Sequence, residues 1–135
     1  MLASALRILG ALAALYLLIC VLAWKYQDRL AFPAPKAQIP SPADFGIRDG
    51  QLITVVTSDG LALKGWYLPP APAPPPGRRA PGLIWFYGNM ENIRGIGAIV
   101  RDFRPPGTGV VALDYRGYGE SAGAPTEAGV YRDAE

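Results

Sequence analysis

"GVVALDYRGYGESAGAPTEAGVYRDAE", residues 109–135, is the stretch on which the reading of this chain turns. It opens with a buried-strand pattern, Gly109 to Tyr115, passes through a glycine-rich loop, and enters a helix with Pro125 or Thr126 near its first turn. Inside the loop, Gly119-Glu120-Ser121-Ala122-Gly123 spells G-x-S-x-G. In a nucleophile elbow of that pattern the strand runs straight into the first glycine and the helix begins at the serine. Here Arg116, Gly117 and Tyr118 intervene, and Pro125 falls where helix N–H groups begin to be needed. The chain also contains no histidine, so Ser121 has no imidazole base, and loss of the base in a triad costs on the order of 10⁶ in turnover. Ser121 therefore reads as a turn residue whose hydroxyl bonds nearby backbone. The alternative, Ser121 as nucleophile, is the single catalytic candidate within the chain.

Upstream, "GLIWFYGNMENIRGIGAIVRDF", residues 82–103, reads as strand, sharp loop and helix. Leu83 to Tyr87 is apolar on both faces, as a central strand of a parallel sheet covered on both sides should be. Ile93, Ile96, Ile99 or Val100, and Phe103 recur at helical spacing over 92–103, and Pro105-Pro106-Gly107 stops the helix. Earlier still, Ser58-Asp59-Gly60 separates two runs rich in β-branched and aromatic residues, which predicts an antiparallel hairpin of 51–57 and 61–68. The proline-rich stretch 69–81 reads as a polyproline spacer between strands. The order hairpin, strand, helix, strand, helix is the beginning of an α/β domain with a mostly parallel sheet.

The opening is different in kind. Seventeen uncharged residues separate Arg7 from Lys25, about 25 Å of helix against a bilayer core of roughly 30 Å. Nine are Leu, Ile or Val, which together favour insertion by roughly 3 to 5 kcal/mol. Leu2 to Leu6 extend the run beyond Arg7, and Trp24 and Tyr26 stand where an interfacial aromatic belt is expected. Residues 1–26 thus read as a transmembrane anchor in the lipid bilayer, with a cleaved signal segment and secretion as the alternative. The positive charges on the two flanks nearly balance and give no orientation. Residues 27–49, with several prolines, read as a linker, and 50–135 as the folded domain.

Thirteen basic and eleven acidic residues leave a net charge of +2 without a basic patch, so no nucleic-acid partner is expected. The single cysteine, Cys20, excludes an intramolecular disulfide. No cofactor and no metal is expected, since a chain without histidine lacks the commonest ligand of such sites.

"YQDRLAFP" (26–33), "SDGLALKGWYLPP" (58–70), "LIWFYGNMENI" (83–93) and "VVALDYRGYGESAGAPTEAGVYRDA" (110–134) resemble, in order and spacing, the N-terminal half of membrane-anchored α/β-hydrolases of the serine-aminopeptidase-like group. The resemblance implies a transmembrane helix followed by the first part of an α/β-hydrolase sheet, apparently truncated. It implies hydrolysis of small esters, amides or peptides by the full-length protein, and a chain inactive by itself because nucleophile, acid and histidine are missing. In such hydrolases the loop after the third strand reads His-Gly-Asn and its backbone lines an oxyanion hole. Tyr87-Gly88-Asn89-Met90 stands there, so the resemblance assigns the N–H of Asn89, or of Met90, to the oxyanion, with Tyr87 departing from the usual histidine. It places "RGYGESAG" one strand before the elbow. Asp114 precedes any nucleophile and is expected to order its loop, pairing with Arg116. Glu127, Asp133 and Glu135 read as a solvated helix face. Two other functions compete: a non-catalytic membrane-tethered relic or binding module, and a dinucleotide-binding unit, whose G-x-G-x-x-G pattern Gly117, Gly119 and Gly123 miss by one residue.

Overall fold

The computed structural model describes residues 2–135, which divide into two units at Ala31. The first is one helix, α1 (Leu2–Ala31), with a mean hydropathy of 2.4 over its most apolar 18 residues and none of its side chains buried. At ~1.5 Å per residue it reaches about 45 Å, longer than a bilayer core. It runs five residues past the boundary expected at 26.

The second unit starts at Phe32. The segment expected to be a linker, 27–49, is divided between the two units: its beginning continues α1, and 32–49 packs with the sheet. The reason is apolar content at intervals between the prolines, since Ile39, Pro42 and Ile47 are buried. A 3-10 turn, Pro42–Phe45, is closed by a capping box in which the Ser41 hydroxyl accepts from the Ala43 N–H and the Asp44 carboxylate accepts from the Ser41 N–H. Gly46, at φ 80°, ends it.

Strands β1 (Gln51–Val56) and β2 (Ala62–Leu68) form the expected hairpin, in register from Gln51 opposite Tyr67 to Val56 opposite Ala62. Strand β3 (Gly82–Trp85) leads through helix α2 (Ile93–Phe103) to β4 (Gly109–Leu113), and helix α3 (Glu127–Asp133) follows. Among the described residues these strands make one sheet in the order β1-β2-β4-β3, with β2 antiparallel to β4 and β3 parallel to it.

Alternation along the strands creates the core. Trp66, Leu68, Val110 and Ala112 point to one face and are buried against Ile93, Ile96 and Val100 of α2, with Leu83 and Trp85 packed beside them. Trp66 lies at the centre, 0 % exposed, its indole N–H donating to the Pro40 carbonyl at 2.9 Å and its ring edge-on to Phe45 at 5.4 Å. Gly97 lets α2 approach this pair, for a Cβ there would lie 2.8 Å from both rings. Gly97→Ala is expected to cost about 1 to 3 kcal/mol by overpacking, read as a lower urea midpoint of the sheet unit.

By its sequence, Leu83 to Tyr87 suits a central strand of a parallel sheet. Among the described residues β3 pairs on one side, with β4, and Ile84, on the face away from α2, is 58 % exposed.

Candidate functional site

The carboxyl ends of β3 and β4 lie side by side, because the strands are parallel, and the loops leaving them meet. After β3 the chain makes a turn at 88–91, closed by the Glu91 N–H donating to the Gly88 carbonyl at 3.3 Å, with Asn89 and Met90 at its central positions. Helix α2 starts directly after it, with the Asn92 side chain accepting from the Gly95 N–H at 3.2 Å as its N-cap.

Three tyrosines line the junction of the two loops. The rings of Tyr87, Tyr115 and Tyr118 lie 4.9 to 6.4 Å apart. The Tyr115 hydroxyl donates to the Tyr87 carbonyl at 3.3 Å, and the Tyr118 hydroxyl to the Asn89 carbonyl at 2.6 Å. Spacing alone did not mark Tyr115 and Tyr118; their signal was aromatic residues on both sides of Arg116-Gly117, in a loop otherwise built of glycine.

Asp114 sits beneath them, 1 % exposed. One of its oxygens, Oδ1, accepts from the Tyr87 hydroxyl at 2.6 Å and from the Ile93 N–H at 2.8 Å. The second carboxylate oxygen, Oδ2, has no partner among the described residues, and it fills the space a Cβ at Gly119 would need. Gly119 is therefore required twice over, since its φ of 49° also disfavours a side chain. Burial pushes the Asp114 carboxyl above the usual carboxylate range, against the opposing pull of its bonds to Tyr87 and Ile93, and Glu120 pushes in the same direction as burial. Burial, and then the Asp114 charge, hold the Tyr87 phenol above its ordinary value, so Tyr87 stays a hydrogen-bond donor.

The expected Asp114–Arg116 pair is not formed. Arg116 turns the other way and bonds Asp133 and Asp59, at 2.8 and 2.9 Å, with its own side chain 6 % and that of Asp133 1 % exposed. This corrects the solvated-face reading of Asp133: a guanidinium carrying several donors in a planar fork gathers two carboxylates and docks α3 on the hairpin turn. Glu127 and Glu135 are exposed.

Ser121 is buried, and both functions of its hydroxyl are used. Its Oγ donates to the Asp114 carbonyl at 2.6 Å and accepts from the Lys64 N–H at 2.9 Å, fastening the loop after β4 to β2. A strap formed by residues 34–40 crosses the same loop: the Gly119 N–H donates to the Pro35 carbonyl and the Ile39 N–H to Glu120. The oxyanion candidates Asn89 and Met90 are both exposed. Ser121 and this turn thus occupy different places, one inside the loop and one on its surface.

The backbone of the sheet unit resembles a solved structure of the same fold. The esterase Pf2001 of Pyrococcus furiosus superimposes with a TM-score of 0.54 at 20 % identity, over 75 % of this chain and 39 % of that one. The chain has the α/β-hydrolase fold. What it forms of that fold is the N-terminal part: hairpin, then β3-α2-β4-α3. No family model matches the sequence. Among curated proteins it is similar to the uncharacterised Rv2307c of Mycobacterium tuberculosis, 31 % identical over 82 % of this chain and 38 % of the relative. It is also similar to protein bem46 of Schizosaccharomyces pombe, 30 % identical over 83 % and 38 %. A third relative, the uncharacterised membrane protein YNL320W of Saccharomyces cerevisiae, is 29 % identical over 94 % and 44 %. The chain thus spans less than half the length of these relatives. Its apolar α1 is compatible with a membrane anchor, and equally with a signal segment.

Proposed function

We propose that this chain is the N-terminal portion of a membrane-anchored serine hydrolase of the serine-aminopeptidase-like group, acting on ester, amide or peptide bonds. In this reading the turn 88–91 supplies backbone N–H groups to a developing oxyanion, and α1 tethers the domain to the bilayer. Nucleophile, acid and histidine come from sequence beyond these 135 residues, which by themselves are inactive. The observation that carries the reading is the contrast between the two serine-hydrolase features within reach. The G-x-S-x-G serine is buried with its hydroxyl engaged on both sides, whereas the turn that resembles the oxyanion loop lies exposed at the carboxyl end of β3. An oxyanion donor is typically worth about 3 to 4 kcal/mol in the transition state, so such a loop has a function only in a completed site.

Fluorophosphonate labelling tests this directly. The 135-residue chain is expected to remain unlabelled, and the longer polypeptide expressed from the same gene to be labelled at a different serine. Ser121→Ala in the 135-residue chain is expected to lower stability by about 1 to 2 kcal/mol through two lost hydrogen bonds, without altering labelling. Labelling of the short chain that disappears in Ser121→Ala refutes the proposal. The absence of histidine also favours a second reading, a membrane-tethered binding module without catalysis. A stable, unlabelled natural product of this length would select it.

A further inference from the structure

The turn 88–91 has a central peptide whose direction is fixed from inside the protein. In a β-turn the central peptide can face either way, and its reversal is what separates type I from type II. Here that peptide joins Asn89 to Met90. It is a trans peptide, so its carbonyl and its N–H point in opposite directions. The Tyr118 hydroxyl holds the Asn89 carbonyl at 2.6 Å, and the Met90 N–H is consequently directed away from Tyr118. Tyr118 cannot follow the loop outward, being 1 % exposed and wedged against Tyr87 and Tyr115. Met90 is 73 % exposed, and its N–H has no partner among the described residues. The reversed peptide would need positive φ at Met90, which is not among the residues with positive φ and has a side chain that disfavours it.

We infer that Tyr118 is a positioning residue that turns the Met90 N–H outward as the oxyanion donor of this loop. The inference rests on the hydrolase reading of the turn and adds to it both the identity of the donor and the side chain that aims it. Two restraints hold the donor, the Tyr118 hydroxyl and the Met90 side chain, so Tyr118→Phe removes the first and Met90→Gly the second.

The test begins with amide exchange and chemical shifts of the ¹⁵N,¹³C-labelled 135-residue chain in detergent micelles. In the unmutated chain the Met90 amide is expected to exchange within about tenfold of the unprotected rate, while the amides of β2 and β4 are strongly protected. In Tyr118→Phe the Asn89 carbonyl and Met90 amide resonances should both move, with those of β2 and β4 unchanged. A Met90 amide protected in the unmutated chain overturns the inference without any variant having to fold. So does a Tyr118→Phe spectrum in which these two resonances stay in place. The second arm uses the longer polypeptide encoded by the gene, assayed on p-nitrophenyl esters. There kcat should fall about tenfold in Tyr118→Phe and about 10²-fold with Met90→Gly added, at unchanged KM, because a donor used only in the transition state is being misaligned. An unchanged kcat in an active enzyme overturns the inference. No turnover by the unmutated long polypeptide refutes the hydrolase reading instead and leaves the exchange data to decide which way the amide faces.

Discussion

Trp66→Ala is expected to abolish cooperative folding of the sheet unit. Trp66 is the largest fully buried side chain and meets β4, α2, the 3-10 turn and the 34–40 strap at one point. Truncating a buried tryptophan costs about 3 to 5 kcal/mol through lost transfer energy and the cavity left behind. The Pro40 carbonyl would lose its donor as well, at about 1 kcal/mol or more. Small domains have only about 5 to 15 kcal/mol of total stability. Amide exchange in micelles checks this: protection of β2 and β4 should disappear in Trp66→Ala. Trp66→Phe, which fills most of the space and loses only the indole donor, should retain partial protection. Full protection in Trp66→Ala would show that the core is organised around a different residue.

Asp114→Ala is expected to be the second most damaging substitution, at about 2 to 4 kcal/mol, because it leaves two donors, the Tyr87 hydroxyl and the Ile93 N–H, without an acceptor in a buried place. The start of α2 and the tyrosine cluster should loosen together, with little effect on the β1–β2 hairpin. Asp114→Asn separates geometry from charge. Burial raises the Asp114 carboxyl above its unfolded value, so the folded state binds its proton more tightly than the unfolded state does. The sign follows: the contribution of Asp114 to stability is greatest below about pH 4, the unfolded carboxylate value, and is lost as pH rises through the folded value. Urea titrations of wild type and Asp114→Asn should therefore differ by an amount that grows upward from about pH 4 and then levels off. Glu120, which disfavours the charge, and Lys36, which favours it, face the same carboxyl, so Glu120→Gln should narrow the pH window and Lys36→Gln widen it. A difference that does not change with pH would mean that Asp114 titrates as an ordinary exposed carboxylate.

Local pattern carried most of the elements. The Asp-Gly turn between β-branched runs announced the hairpin, and the spacing of Ile93, Ile96 and Val100 announced α2, with boundaries within two residues. Three extra residues between strand and G-x-S-x-G, with Pro125 close behind, argue from the sequence against a nucleophile elbow, and the Ser121 hydroxyl is buried and bonded on both sides. The site was legible only in part. That Tyr87-Gly88-Asn89-Met90 leaves a strand is a local fact, but which carbonyls are held, and by which tyrosines, depends on two loops brought together by the β3–β4 pairing.

By itself the sequence determined those properties that depend on near neighbours: the apolar α1, the strand and helix periods, the turns, and the lack of an imidazole anywhere in the chain. Tertiary structure alone decided how the charges pair. Asp114 and Arg116 are two residues apart, and that proximity suggested an ion pair. The fold instead buries Asp114 at the start of α2 and sends Arg116 to Asp133 and Asp59, 17 and 57 residues away. It also turned a proline-rich segment that looked like a linker into part of the core wall, by giving Ile39 and Ile47 a sheet face to cover. Long-range partners of this kind leave no period in the sequence, because the free energy that selects them comes from burial and desolvation at sites assembled only when distant strands align.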